Sequence, residues 1–193
     1  VVPSCSPPCN TCGVPADYPC HTGSPCLGSC QIINTTVASV TMSGNCLYVT
    51  SFGSVTGGIT GTSAADCIVT MGNVGWINAG NGNNVVLVMG TVTSSSGGNS
   101  VTAGTGSDTF YFAGATTLWG QVDANGGGDD IVICNSVIVG TVLGGTSADC
   151  FDVSSSTVAT INGESGTDTC NIGGLTITLF SCNTVTCTPT RLP

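Results

Sequence analysis

Lysine is absent from these 193 residues, Arg191 is the only arginine and His21 the only histidine. With one cationic side chain and a formal net charge of −9, the chain cannot neutralise a phosphate backbone, so nucleic acid is excluded as a partner. Anionic membrane surfaces are excluded on the same ground. A Ser/His/Asp triad would have to use the one histidine, which lies inside a cysteine cluster. Parallel β-helix enzymes that cleave polysaccharides would need carboxylate pairs such as Asp149 with Asp152, and basic residues beside them that are missing here. The expectation is a protein that is not an enzyme. Long apolar runs are also missing. Mean hydropathy is +0.41, yet Gly, Ser, Thr and Asn break every run short of the ~20 residues that span a bilayer. No membrane span is expected, and the apolar residues must sit in short strands.

What the chain has instead is cysteine, 13 in all, and glycine, 29 in all. That cysteine density points to an oxidising, extracellular compartment. Val1 at the start, without methionine, reads as a processed secreted form. Asn34-Thr35-Thr36 is an N-glycosylation sequon, so covalent glycans at Asn34 are expected. Three segments stand out. Residues 1–33 are rich in Pro and carry Cys5, Cys9, Cys12, Cys20, Cys26 and Cys30, residues 34–180 are repetitive, and residues 181–193 form a tail with Cys182 and Cys187. Cys9-x-x-Cys12 and Cys20-His21 offer zinc-type ligands, but in a secreted chain a disulfide knot is the simpler reading, with its pairing open. No cofactor is required by this reading.

The middle segment decides the fold. An Asp or Asn that follows a small-residue turn and precedes alternating apolar residues recurs about every twenty residues, at Asn45, Asp66, Asn84, Asp108, Asp130, Asp149 and Asp168. Two residues after each stand Leu47, Ile68, Val86, Phe110, Val132, Phe151 and Cys170; four after stand Val49, Thr70, Val88, Phe112, Cys134, Val153 and Ile172. Period-two alternation puts both columns on one face of a strand. A second strand precedes each turn, as in Val74-Gly75-Trp76-Ile77 and Val158-Ala159-Thr160-Ile161. The expected fold is all-β, a parallel β-solenoid of about seven coils of ~20 residues, with the cysteine-rich segment as a cap or inter-subunit arm. Ser94–Asn99 reads as an insertion that bulges outward.

Gly104-Thr105-Gly106-Ser107-Asp108-Thr109-Phe110 resembles the Gly/Asp-rich nonapeptide of calcium-binding RTX β-rolls. Gly126-Gly127-Gly128-Asp129-Asp130-Ile131 and Gly163-Glu164-Ser165-Gly166-Thr167-Asp168-Thr169 are looser versions. The pattern of strand and Asp turn over residues 34–180 is also similar to repeats of large bacterial adhesins. Unlike the β-roll, this chain has one such turn per coil and varied coil length. The resemblance implies calcium at the turns and an adhesive role. Stacked carboxylates repel, and the offset would come either from calcium or from hydrogen bonds with turn amides. Asn84 and Asn45 keep the turn and lose the charge, which favours the turn role. Asp66, Asp108, Asp129, Asp130, Asp149 and Asp168 are the turn residues and the candidate calcium ligands.

Residues at odd offsets from the anchor should face outward. Tyr48, Val69, Val85, Leu87, Tyr111, Ile131 and Ile133 make the central coils apolar on both faces. A patch of that size needs cover, either the N-terminal segment or a second copy. Val69, Val85, Leu87, Tyr111, Ile131 and Ile133 are therefore the expected assembly surface. Cys46 and Cys67 share an outward column on adjacent coils, where neighbouring strands lie ~4.8 Å apart, so a Cys46–Cys67 bridge is expected. Cys134 and Cys170 read as buried thiols, and Cys150 as a partner for a tail cysteine or another chain. Cys182 and Cys187 bridge each other or reach neighbouring elements. The function expected is a secreted structural protein whose partner is itself, polymerising into a filament or surface layer. The alternative is a monomeric binding module, adhesin-like with calcium or ice-binding. Against ice, no Thr-x-Thr pattern recurs in register, and Thr176-Ile177-Thr178 stands isolated.

Overall fold

In the computed structural model, the described residues are 30–93, 98–114, 116–172 and 175–182. They form strands and turns with no helix, and every strand pairing is parallel. One sheet stacks eight strands in chain order, from Gln31–Ile33 through Cys46–Val49, Cys67–Thr70, Val85–Val88, Thr109–Phe112, Asp130–Cys134 and Cys150–Ser154 to Thr169–Asn171. The second sheet is built from the other half of each coil and is bent in the middle, with register shifts such as that between Ile138 and Thr141. The architecture is the parallel β-solenoid that the twenty-residue repeat predicts. The first strand, Gln31–Ile33, already pairs with Cys46–Val49, so the solenoid begins inside the cysteine-rich segment. Cys5, Cys9, Cys12, Cys20, His21, Cys26 and Cys187 lie outside the described residues.

The core is a set of straight aliphatic columns. In the first sheet Leu47, Ile68, Val86, Phe110, Ile131, Phe151 and Cys170 follow one another in register. Facing them from the second sheet are Val37, Val55, Val74, Val92, Leu118, Ile138 and Val158. A further column runs from Val40 through Ile59, Ile77, Val101, Val122 and Val142 to Ile161. β-branched residues suit this arrangement because each packs on its equivalent one coil above and below. Phe110 and Phe112 are both fully buried, with ring centroids 6.4 Å apart.

One coil departs from the expected facing. The sequence places Asp130 in the anchor column, but Thr109 pairs with Asp130 and Asp108 stands level with Asp129. A one-residue change of register exchanges the two faces of a strand. Ile131 and Ile133 therefore point into the core, each fully buried, while Val132 turns to the outer side.

Candidate functional site

Two features of the solenoid carry chemistry: a buried column of acids at one corner, and the outer face of the second sheet.

The column is built by backbone geometry. In the turns from Asn84 onward the chain adopts positive φ, for instance at Gly80 and Gly82 before Asn84, Asn125 and Gly127 before Asp129, Gly145 and Ser147 before Asp149, and Glu164 and Gly166 before Asp168. The corner this makes brings the anchor side chain inward under its own turn. From Asn84 onward each anchor's Oδ1 then accepts a hydrogen bond from the backbone N–H of the anchor one coil earlier. The N–H of Asp66 donates to Asn84 (2.9 Å), Asn84 to Asp108 (2.7 Å), Asp108 to Asp129 (2.7 Å), Asp129 to Asp149 (2.9 Å) and Asp149 to Asp168 (3.0 Å). All six side chains are buried. The structure thus joins Asp66, Asp108, Asp129, Asp149 and Asp168 with Asn84, and leaves Asp130 and the exposed Asn45 out of the column.

At Asp66 the second carboxylate oxygen is satisfied, since the backbone N–H of Thr62 donates to Oδ2 and the Thr62 hydroxyl to Oδ1. At Asp108, Asp129, Asp149 and Asp168 the Oδ2 atom is buried without a hydrogen-bond partner. A small residue stands five places before each anchor: Gly61, Ala79, Ala103, Ala124, Gly144 and Gly163. At the glycines the reason is contact. A Cβ on Gly144 would lie 2.3 Å from Asp149 Oδ2, and one on Gly163 2.3 Å from Asp168 Oδ2. Burial, only partly opposed by the hydrogen bonds received, pushes the Asp108 carboxyl up to about 6, Asp129 to about 8 and Asp149 to about 7. Among the described residues no group of three His, Cys, Asp or Glu side chains is arranged to hold a metal ion.

The expected assembly surface is not a free surface. Val69 and Leu87 are fully buried, and Val85 and Tyr111 nearly so, in a second apolar cluster with Cys67, Ala113 and Val132 that Cys30, Tyr48 and Met89 pack against. Ile131 and Ile133 lie in the main core. The sequence identified the doubly apolar strands correctly, but their outer side is closed within this chain.

The cysteines also differ from expectation. Cys46 and Cys67 do stand in register, but Cys46 is bridged to Cys30, with Cα atoms 4.5 Å apart. Three cysteines stack in this column, and a sulfur can take one partner; Cys30, on the coil before, takes Cys46. Cys67 is itself disulfide-bonded. Cys170 is bridged to Cys182, Cα atoms 5.8 Å apart, and Cys134 and Cys150 are disulfide-bonded, so neither Cys134 nor Cys170 is a buried thiol.

The outer face of the second sheet holds what sequence spacing concealed. One outward column reads Thr36, Ser54, Asn73, Thr91, Thr117, Val137 and Thr157 in register. A second, beyond the bend, reads Thr41, Thr60, Asn78, Thr102, Asp123, Leu143, Asn162 and Phe180. Thr141, Thr160 and Thr178 form a shorter row between them. Trp119 and Val139, each following the paired residues Leu118 and Ile138, are exposed beside Val137. Asp123 is the only ionisable group in these rows, and it accepts a hydrogen bond from Asn99. The signal for the first column is the residue just before the inward Val, Leu or Ile of each second strand. Coil length varies, so those residues do not all share one spacing in the chain. Asn34 is exposed at the corner that leads into this face. No helix among the described residues is long and apolar enough to cross a membrane. No family model, curated protein or solved structure matches the chain.

Proposed function

We propose that this chain is an extracellular, non-catalytic binding module whose second sheet docks on an uncharged, periodic, hydroxylated solid surface, ice in the first instance. The observation that carries the reading is the in-register row Thr36, Ser54, Asn73, Thr91, Thr117, Val137 and Thr157 on the outside of a parallel sheet. A periodic solid is matched best by a periodic receptor. Here short side chains carrying hydroxyl, amide or methyl groups repeat at the ~4.8 Å strand spacing. Threonine is stiff at χ1, and a disulfide-braced solenoid fixes the backbone, so little conformational freedom is left to lose on docking. The near-absence of charge removes the desolvation cost that Lys, Asp or Glu would add. Three of the exposed large apolar side chains, Trp119, Val137 and Val139, stand together on this face, 60%, 42% and 47% exposed, which suits a face that releases water when it docks.

The extracellular assignment is supported by the disulfides Cys30–Cys46 and Cys170–Cys182, and a glycan at Asn34 is consistent with its exposure. Polymerisation into a filament loses its first motive, because the residues expected to mediate it are buried. The test is thermal hysteresis and partition into a growing ice front, with Thr117→Glu as the variant. Activity in the wild type that Thr117→Glu abolishes supports the reading. No hysteresis and no partition at millimolar protein sinks it, and filaments in negative-stain images of the same sample would return the function to self-assembly.

A further inference from the structure

We infer that Asp108, Asp129 and Asp149 fold as neutral carboxylic acids whose O–H groups donate to the carbonyls of their own turns, giving the solenoid a proton-bound spine that loosens as pH rises. The inference stands apart from whatever the outer face binds.

Asn84 shows what the corner requires. Its Oδ1 accepts the Asp66 N–H, which fixes the amide orientation, so Nδ2 occupies the place of the second carboxylate oxygen. That nitrogen donates to Gly80 O at 3.1 Å and Gly82 O at 2.9 Å. These are the residues four and two places before the anchor, where φ is positive. The same two places have positive φ before Asp129, Asp149 and Asp168, so the backbone at those corners presents its carbonyls in the same way. A carboxylate is acceptor-only and cannot answer a carbonyl, whereas a protonated carboxyl places an O–H where Asn84 places an N–H. The orphaned Oδ2 atoms of Asp108, Asp129 and Asp149 are then donors, and the corner is satisfied without water.

The surroundings offer no other remedy. Asp129 faces Asp108, Asp149 and Asp130, and Asp149 faces Asp168, Asp130 and Glu164, all acidic. Asp108 faces the neutral Asn84, and the turn before Asp168 adds only Glu164. Among the described residues there is no Lys, Arg or His. The close contact of Asp149 with Gly144 admits a proton more readily than a hydrated ion. Carboxyls stacked at ~4.8 Å titrate as a column and not one by one.

The direction of the pH effect follows from linkage. The folded carboxyls hold their protons above the unfolded value of 3.8, to about 6, 8 and 7 for Asp108, Asp129 and Asp149. The folded state therefore binds more protons than the unfolded state across that window. Stability is fully present below about pH 4 and is lost as pH rises through about 6 to 8. Most proteins rich in paired carboxylates behave the other way at the acid end.

The experiment is thermal unfolding of the wild type and of Asp129→Asn from pH 4 to 9 in a chelator, repeated with millimolar calcium. A midpoint that falls as pH rises is expected. Asp129→Asn should match the wild type at pH 4 to 5 and exceed it at pH 8 to 9, because the amide supplies the donor permanently. A wild-type midpoint that rises with pH, or an Asp129→Asn midpoint below wild type at every pH, overturns the inference. So does a calcium-induced rise at pH 8 that Asp129→Asn removes, which would make the column a cation site. Should the variant not fold, carboxyl carbon shifts of labelled wild-type protein at pH 5.5 decide the matter: ladder aspartates at protonated positions support the proposal, and ionised ones refute it.

Discussion

Replacing Asp149 separates the two jobs of a ladder carboxyl. Its Oδ1 receives the Asp129 N–H at 2.9 Å, and both residues are buried. Asp149→Ala leaves that N–H with no acceptor in a site that water does not reach. An orphaned buried donor costs about 1–3 kcal/mol. Asp149→Asn keeps an oxygen in the Oδ1 place and a donor in the Oδ2 place, as Asn84 does three column members earlier. At pH 5 the alanine variant should therefore be less stable than the asparagine variant by about 1–3 kcal/mol, a difference of about 2–12 °C in midpoint for a domain of this size. Urea unfolding reads it as a shift in midpoint at unchanged slope. Equal stability of the two variants would show that the cross-coil bond contributes nothing, and the account of the corner would fail with it.

Other outcomes follow from single features. Thr70 stands fully buried between Val49 and Val88 in the core column, its hydroxyl without a partner, so Thr70→Val should raise stability by about 1 kcal/mol or more in denaturant titration. The Cys30–Cys46 bridge spans 16 residues, and the double change Cys30→Ser with Cys46→Ser should cost about 3 kcal/mol, read from the unfolding midpoint under non-reducing conditions. Val139 is 47% exposed; Val139→Glu should leave the melting temperature within about 2 °C, as surface changes usually do, while removing partition into ice.

How much was legible in the chain depends on how local the cause is. The repeat showed itself because a tight corner needs a small residue, a positive-φ residue and an Asx side chain close together in sequence, as in Gly104 to Asp108. Short apolar runs such as Val85–Val88 and Thr109–Phe112 marked the strands for the same reason. Adjacent identical residues defeated it once: Asp129 and Asp130 both fit the motif, and only the Asp108 N–H one coil away selects Asp129. That choice turned Ile131 and Ile133 from expected surface to core.

The amino-acid sequence by itself determined the class of fold, the acidic corners, the scarcity of cationic side chains and the stack of cysteines at one position. Each of these follows from composition or from contacts within a few residues. Only the tertiary structure decided which cysteine takes Cys46, that the outer side of the first sheet is covered, that one carboxylate oxygen per corner is left without a donor, and that Thr36, Ser54, Thr91, Thr117 and Thr157 stand in one row. These depend on register between coils of unequal length, and register is set by packing of columns across the whole stack, a property that no short window of sequence contains.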